Sequence, residues 1–495
     1  MSDQLILWAI VIGYIIFIFT KGVLKSKQVH DTDDFLIAGR NVRWVLLFCT
    51  MGATVIGGGY SIGAIAKTYE WGILMLLVST GGYLHFIFSG LFVAPQFRKA
   101  ELYTVAGFFG FRFGESSRFV MLILSLLFSV FIIAAQMAAF GTVLSAILPD
   151  IADSVTILRW AILIGGILVV IYSTAGGLMA VINTDFYQFI ILMLGFIVTL
   201  IFCVPDIVGS WSKMTATIPA DFFKIEGGKG WLFLITTFLA FLLGETFAPG
   251  YATRYCVGKN IKETKLGIAG VGFFLAFTFP VILFFIALYA RIHFPNIDPQ
   301  QALPMVVQQL HNPVIGGLII GALLMAVMSS ADSALNSSTA IFVKDLFEHQ
   351  LGWKDNGDGR MLKIARICTA ALGLISIFIA IVWPDIIGLL LFTYHIWAPA
   401  VILPVIVGVF LKKKSRALNQ QIFLTMLSAT ALTLLYKLML YLNSDYKISI
   451  FSERTYDIFN QLDPSVFGVG ISIVSFIILK ILYSFIKLDE NEMVH

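Results

Sequence analysis

Charge is what this chain has least of. Asp, Glu, Lys and Arg make up 13% of its 495 residues, roughly half the share of an ordinary soluble domain. A water-soluble fold of this length would lack the polar surface to cover itself. Cysteine is also scarce, with Cys49, Cys203, Cys256 and Cys368 set in apolar context at no metal-like spacing. That argues against a disulfide framework and against a zinc site, and leaves four free core thiols. A block of basic residues with interleaved aromatics is missing too, so nucleic acid is not expected as a partner. The N-terminal "MSDQLILWAIVIGYIIFIF" has neither a basic leader nor a small-residue cleavage site and reads as a retained first helix.

What is present is apolar sequence, at a mean hydropathy of +0.91. Apolar runs of about 18 residues or more mark helices long enough to cross a bilayer. Such runs fall near 5–24, 44–69, 71–96, 118–148, 157–176, 184–204, 231–250, 265–291, 313–345, 364–383, 386–410, 420–442 and 465–486, thirteen spans in all. The fold class expected is therefore an all-α polytopic membrane protein surrounded by the lipid bilayer. Basic residues crowd alternate loops: Lys21, Lys25, Lys27, Arg40 and Arg43, then Arg98, Lys99, Arg112 and Arg118. The pattern continues with Arg254, Lys259, Lys262 and Lys265, and with "LKKKSR" at 411–416. By the positive-inside rule the N-terminus is outside and the C-terminus cytoplasmic, which suits an odd number of spans in a plasma (cell inner) membrane. The stretch 100–118 is expected to lie at the cytoplasmic interface as a surface or re-entrant helix. The tail "KLDENEMVH" is too short for a signalling domain, which argues against a membrane sensor. Sparse intramembrane charge argues against a channel.

Two spans are interrupted in the same manner. "ATVIGGGYSIG" (53–63) places three glycines in mid-span, and "LLGETFAPGYATRY" (242–255) carries Gly244, Glu245, Pro249 and Gly250. Backbone groups freed by such breaks are tolerated in a bilayer only where they are buried in protein or line a cavity. The breaks lie five spans apart, and paired broken helices point to a midplane binding site between inverted repeats. The resulting organisation is one transporter domain. It has a first helix and loop (1–43), repeats at 44–204 and 231–410, and two C-terminal helices with a tail (411–495).

The ninth span carries "AVMSSADSALNSSTA" (326–340). At 100° per residue, Ala326, Ser329, Ser330, Ser333 and Ser337 fall on one stripe, flanked by Asp332 and Asn336. Hydroxyls one turn apart, with carbonyls from a broken helix opposite, form a set of hard oxygen ligands suited to Na⁺. Back-bonding to the preceding turn accounts for any one of these serines, but poorly for five on a stripe. Asp332 costs roughly 2.5–3.5 kcal/mol at a membrane centre, so it should face a partner. Asp185 and Glu245 are the other carboxylates near apolar depth. Glu245 is suited to a cationic or hydroxyl-bearing solute, or to a proton.

These stretches resemble the sodium:solute symporter family, whose fold is the LeuT-type 5+5 inverted repeat with two discontinuous helices. The likeness runs through "DDFLIAGR" (33–40), "GGGYSIGAIAKTYEW" (57–71), "YSTAGGLMAVINTDFYQ" (172–188), "GYATRYCVGKNIKETK" (250–265) and "AVMSSADSALNSSTAIFVKD" (326–345). The resemblance implies a non-enzymatic, sodium-coupled importer of a small organic solute, with no obligatory protein partner evident. It implies a sodium site on Gly52, Val55, Ala326, Ser329 and Ser330. A second sodium site would involve Asp185, Asp332 and Ser333. Solute-lining positions would be Gly58, Tyr60, Gln136, Glu245, Thr246, Phe247, Phe392 and Tyr394. The solute stays open among a sugar or polyol, an amino acid or other zwitterion, a choline-like amine and a carboxylate. Leu77, Ile132 and Ala248 stand near the tryptophans that box a quaternary amine in choline-transporting members. Ala134 stands where sialic acid members carry an arginine. Proton coupling through Glu245 or Asp332 is the alternative mechanism.

Overall fold

The computed structural model describes residues 3–26, 32–148, 153–353, 359–411, 414–445 and 452–485. The tail 487–495 and the middle of the 411–416 basic run fall outside the described residues. Everything that matters for the site is helical, in the order α1 (Asp3–Ser26), α2 (Trp44–Val55), α3 (Gly59–Trp71), α4 (Ile73–Lys99), α5 (Val105–Phe113) and α6 (Glu115–Ile147). The chain continues through α7 (Ser154–Thr174), α8 (Val181–Gly209), α9 (Trp231–Gly244), α10 (Pro249–Val257), α11 (Ile261–His293) and α12 (Pro313–Gln350). It closes with α13 (Arg360–Val382), α14 (Ile386–Phe410), α15 (Arg416–Asn443) and α16 (Pro464–Ser484).

Among the described residues ten helices are long and apolar enough to cross a membrane, and twelve if each bent pair counts as one span. The bent pairs are α2 with α3, at 60°, and α9 with α10, at 47°. Both breaks expected from the glycine and proline clusters are thus present, and the chain is an integral, multi-pass membrane protein. The first expected span, 5–24, falls on α1, whose described apolar run, Asp3–Phe17, is shorter than the 18 residues of a crossing and is not counted among the twelve. The stretch expected at the interface forms α5, started by the Thr104 side chain, which accepts from the Gly107 amide, a typical N-cap.

Local chemistry sets the ends. Asn312 caps α12 at the Val314 and Ile315 amides, with Pro313 in the first turn, where a missing N–H costs nothing. Asp385 caps α14 through the Gly388 amide. The expected division between α7 and α8 is a single backbone event: Gly177 sits at φ 58°, ψ −173° inside an otherwise continuous helix. A Cβ there would lie 2.5 Å from the Phe35 ring, so both conformation and space demand glycine.

The serine-bearing helix is the centre of the bundle. Of its most apolar window, 83% is buried inside the protein, against 17% for α16 at the periphery. It packs against α1, α6, α7 and α8. Every residue from Leu323 to Ala340 is buried, so its polar groups must find partners in protein.

Candidate functional site

The first break brings backbone to side chain. α2 closes with the Ile56 amide donating to the Gly52 carbonyl at 2.9 Å. Gly57 then passes so close to α12 that a Cβ on it would lie 2.1 Å from Ser330 Oγ. Gly58 packs on Ala139 of α6, and its freed amide donates to Gln136 Oε1 at 2.8 Å. Gly59 packs on Leu390 of α14, so the three glycines serve a close approach of backbone to three helices. Ser330 Oγ lies 2.8 Å from the Thr54 carbonyl, 3.5 Å from that of Ala53 and 3.1 Å from that of Ala326. The carbonyls facing Ser330 are thus Ala53 and Thr54, between the expected Gly52 and Val55. This is a one-residue difference, because the α2 turn rotates its last carbonyls inward. Gly52 itself abuts the Phe189 ring.

Ser329 turns away from Ser330 and donates to Asp185 Oδ1. Asp185 also accepts from Thr50, and its other neighbour is Arg254. The guanidinium of Arg254 donates to Thr50 Oγ1 at 3.2 Å, the Gly250 carbonyl at 3.0 Å and Ser333 Oγ at 2.5 Å, and stands 3.5 Å from Asp185 Oδ2. Arg254 and Asp185 both have no exposed surface. This corrects the reading of Arg254 as a cytoplasmic-loop charge. The short helix α10 follows the break directly and carries Arg254 one turn past Gly250, into the core. Asp332 faces another way and accepts from Ser173, on α7 just before the Gly177 break. It forms no ion pair among the described residues. Further along the stripe, Ser337 and Ser338 bond back to the Ala334 carbonyl, the local satisfaction expected of helical serines.

At the second break, Phe247 adopts φ +65°, sparsely populated for a non-glycine residue. The freed carbonyl of Thr246 accepts from Trp397 Nε1 at 3.0 Å, and the Thr246 hydroxyl donates back to Leu242 at 2.6 Å. Glu245 projects from the break. Its Oε2 accepts from Tyr251 at 2.6 Å and its Oε1 from Tyr394 at 2.7 Å.

Between the breaks lies a narrow pocket. Tyr60, Gln136 and Glu245 line it as expected, and Thr54, Ser330 and Ser333 join them from the α2–α12 contact. Phe128, Ile132 and Leu390 form an apolar wall. Tyr394 reaches the site through Glu245. Gly58, Thr246, Phe247 and Phe392 do not line the cavity. Gly58 is covered by Ala139, Thr246 is held by Trp397, Phe247 is turned towards Phe88, and Phe392 packs edge-on against Phe131. Sequence reasoning missed Arg254, Thr50, Tyr251 and Ser173. The signal for Arg254 and Tyr251 was their place within one or two turns of the Pro249–Gly250 break.

The model of the sodium:solute symporter family matches residues 35–421, with both breaks and the serine stripe inside the match. The chain belongs to that family. This symporter is 26% identical over 382 residues to the high-affinity choline transporter 1 of Drosophila melanogaster, covering 74% of its own length and 60% of the fly protein. It is 26% identical to the sodium/glucose cotransporter of Vibrio parahaemolyticus, covering 72% and 70%. To the sodium/sialic acid symporter SiaT of Proteus mirabilis it is 27% identical, covering 76% and 77%. Among solved structures, a substrate-bound, outward-open Na⁺-coupled sialic acid symporter superposes with a TM-score of 0.76 over 99% of both chains at 22% identity. The nucleobase-cation-symport-1 transporter MHP1, in a closed conformation, gives 0.56 over 90% and 95% of the two chains at 14% identity. These two likenesses bear on the fold, an all-α 5+5 inverted repeat with two discontinuous helices. By family the symporter is a transporter rather than an enzyme, and its coupling ion is sodium.

Proposed function

We propose that this symporter uses sodium to import a small organic solute by alternating access, with the solute in the cavity between the breaks. The sodium ion is assigned to the meeting of α2 and α12: carbonyls of the Gly52–Val55 turn and of Ala326, with the hydroxyls of Ser329 and Ser330. The observation that carries this reading is Ser330 Oγ at 2.8 Å from the Thr54 carbonyl and 3.1 Å from the Ala326 carbonyl. A hard cation at that point would find a neutral hydroxyl oxygen, its proton turned to another acceptor, together with several carbonyl oxygens. Sodium favours the outward-open state, and Ser330 lines both ion site and cavity, so bound solute and ion stabilise one another. At −100 mV the potential contributes about 2.3 kcal/mol per charge. The N-terminus is placed outside and the C-terminus in the cytoplasm of a plasma (cell inner) membrane.

A second sodium at Asp185, Asp332 and Ser333 would share its space with the Arg254 guanidinium, which already donates to Ser333 at 2.5 Å. The charge moved per solute, recorded on solid-supported membranes, counts the ions. Proton coupling is the second reading, favoured by Asp332, a buried carboxylate whose partner is a serine hydroxyl.

Uptake into proteoliposomes under imposed sodium or proton gradients separates the two. The expected result is accumulation driven by sodium alone. Accumulation driven by a proton gradient in sodium-free buffer would sink the sodium reading. Ser329→Ala/Ser330→Ala is expected to weaken apparent sodium affinity by about tenfold or more, given about 1 kcal/mol or more per lost oxygen ligand, with expression retained. Unchanged sodium affinity in the well-folded double variant would move the ion elsewhere.

A further inference from the structure

We propose that the solute carries a protonated amine and that Glu245 is its counter-ion; the proposal rests on the transport reading above and names the solute class for the same cavity. Among the described residues Glu245 is the only charged side chain on the cavity wall, which presents no Lys, Arg or His. Arg254 is not on that wall; its guanidinium donates to Thr50, Gly250 and Ser333 from behind it and stands 3.5 Å from Asp185. A carboxylate solute would meet a like charge with no cationic side chain to receive it, which works as exclusion. An ammonium would meet a carboxylate already set in place.

Two observations show that the carboxylate is built for contact with a cation. Each oxygen of Glu245 accepts one tyrosine hydroxyl, from Tyr251 on α10 and from Tyr394 on α14. Both bonds run to the carboxylate as acceptor, and an ionised carboxylate has about four acceptor sites. Each oxygen therefore keeps a lone pair for a further donor. The residue also lies in the break itself, between α9 and α10. An ammonium, with three donors, can bridge these lone pairs as the tyrosines hold the carboxylate still.

The rest of the wall limits the solute's other end. Gln136 Oε1 is committed to the Gly58 amide at 2.8 Å, so the amide NH₂ is what Gln136 offers. It suits a hydroxyl or carboxylate oxygen at the distal end. Phe128, Ile132 and Leu390 supply an apolar middle. The shared chemistry is a short protonated amine, either a plain amine or the amino end of a zwitterion.

The test uses the full-length purified symporter in sodium buffer, with thermal shift and intrinsic fluorescence as binding readouts. The probes are size-matched: propylammonium, β-alanine, propanol and propionate, with glucose as a sugar control. Propylammonium or β-alanine is expected to bind, and propionate, propanol and glucose are not. Glu245→Gln is expected to weaken amine binding by about tenfold or more, the loss of one charge-assisted hydrogen bond. Tyr394→Phe keeps the charge and should weaken amine binding less. Sodium-induced stabilisation of each variant reports that it is folded. Binding of propionate or glucose in preference to both amines overturns the proposal. So does amine binding that Glu245→Gln leaves intact, and so does failure of both amines on a protein that sodium stabilises. If Glu245→Gln does not fold, Tyr394→Phe decides: amine affinity equal to the parent's overturns the assignment. Failure of sodium to stabilise the parent protein would strike the sodium reading instead, and leaves the amine result standing by itself.

Discussion

A single arginine governs the electrostatics of the buried core. Arg254 joins α10 to Thr50 on α2, Asp185 on α8 and Ser333 on α12, and none of its side chain is exposed. Breaking a buried pair from one side leaves a bare charge and costs about 3–5 kcal/mol. Arg254→Gln is therefore expected to lower thermal stability in detergent by that order, and Arg254→Gln/Asp185→Asn to recover much of it. Equal losses in the single and double variants would show that the pair does not act as a unit. The only mark of this arginine in the sequence was its place one turn past the Pro249–Gly250 break, and it is followed by Lys259, Lys262 and Lys265, which sit at or just before the start of α11. The serines of α12 were legible because a stripe is a property of one helix. Which hydroxyl faces which carbonyl depends on how α2 ends, and that is set by packing against Phe189 and Ser330 rather than by local pattern.

At the level of elements, the two breaks were the most legible feature, since glycine and proline announce them in a span that must otherwise stay hydrogen-bonded. Their satisfaction was not legible. The freed amide of Gly58 goes to Gln136, and the freed carbonyl of Thr246 goes to Trp397, partners 78 and 151 residues distant. Gly57 shows how tightly a break is fitted. Gly57→Ala would set a methyl 2.1 Å from Ser330 Oγ and 2.9 Å from Gln136 Oε1, too close for either to remain. The expected outcome is a folded protein with strongly weakened sodium dependence, read from sodium-titrated thermal shift. A variant with parental sodium affinity would show that the α2–α12 approach does not form the ion site.

For the whole molecule, the proposed ion site and the cavity share Ser330 and the end of α2. Coupling between two such sites is reciprocal. The factor by which sodium raises solute affinity should equal the factor by which solute raises sodium affinity, measured by isothermal titration in both orders. Unequal factors at equilibrium would mean that a further ligand, such as a proton, takes part. The membrane class was plain from hydropathy because a bilayer imposes length, whereas the count was less so: thirteen spans were expected against up to twelve among the described residues. The identity of the solute was not plain, because a cavity is assembled from single residues on many helices.

The two tyrosines on Glu245 also bear on speed. A carrier must go back across the membrane without its cargo, and an exposed, unsatisfied carboxylate would hold it at whichever side offered water. With Tyr251 and Tyr394 donating to both oxygens, the vacated acid remains solvated by the protein's own hydroxyls. On the proposed role of Glu245, the homeward half of the cycle then starts with a lower desolvation barrier at that residue, and removing the tyrosines would slow turnover as well as weaken affinity.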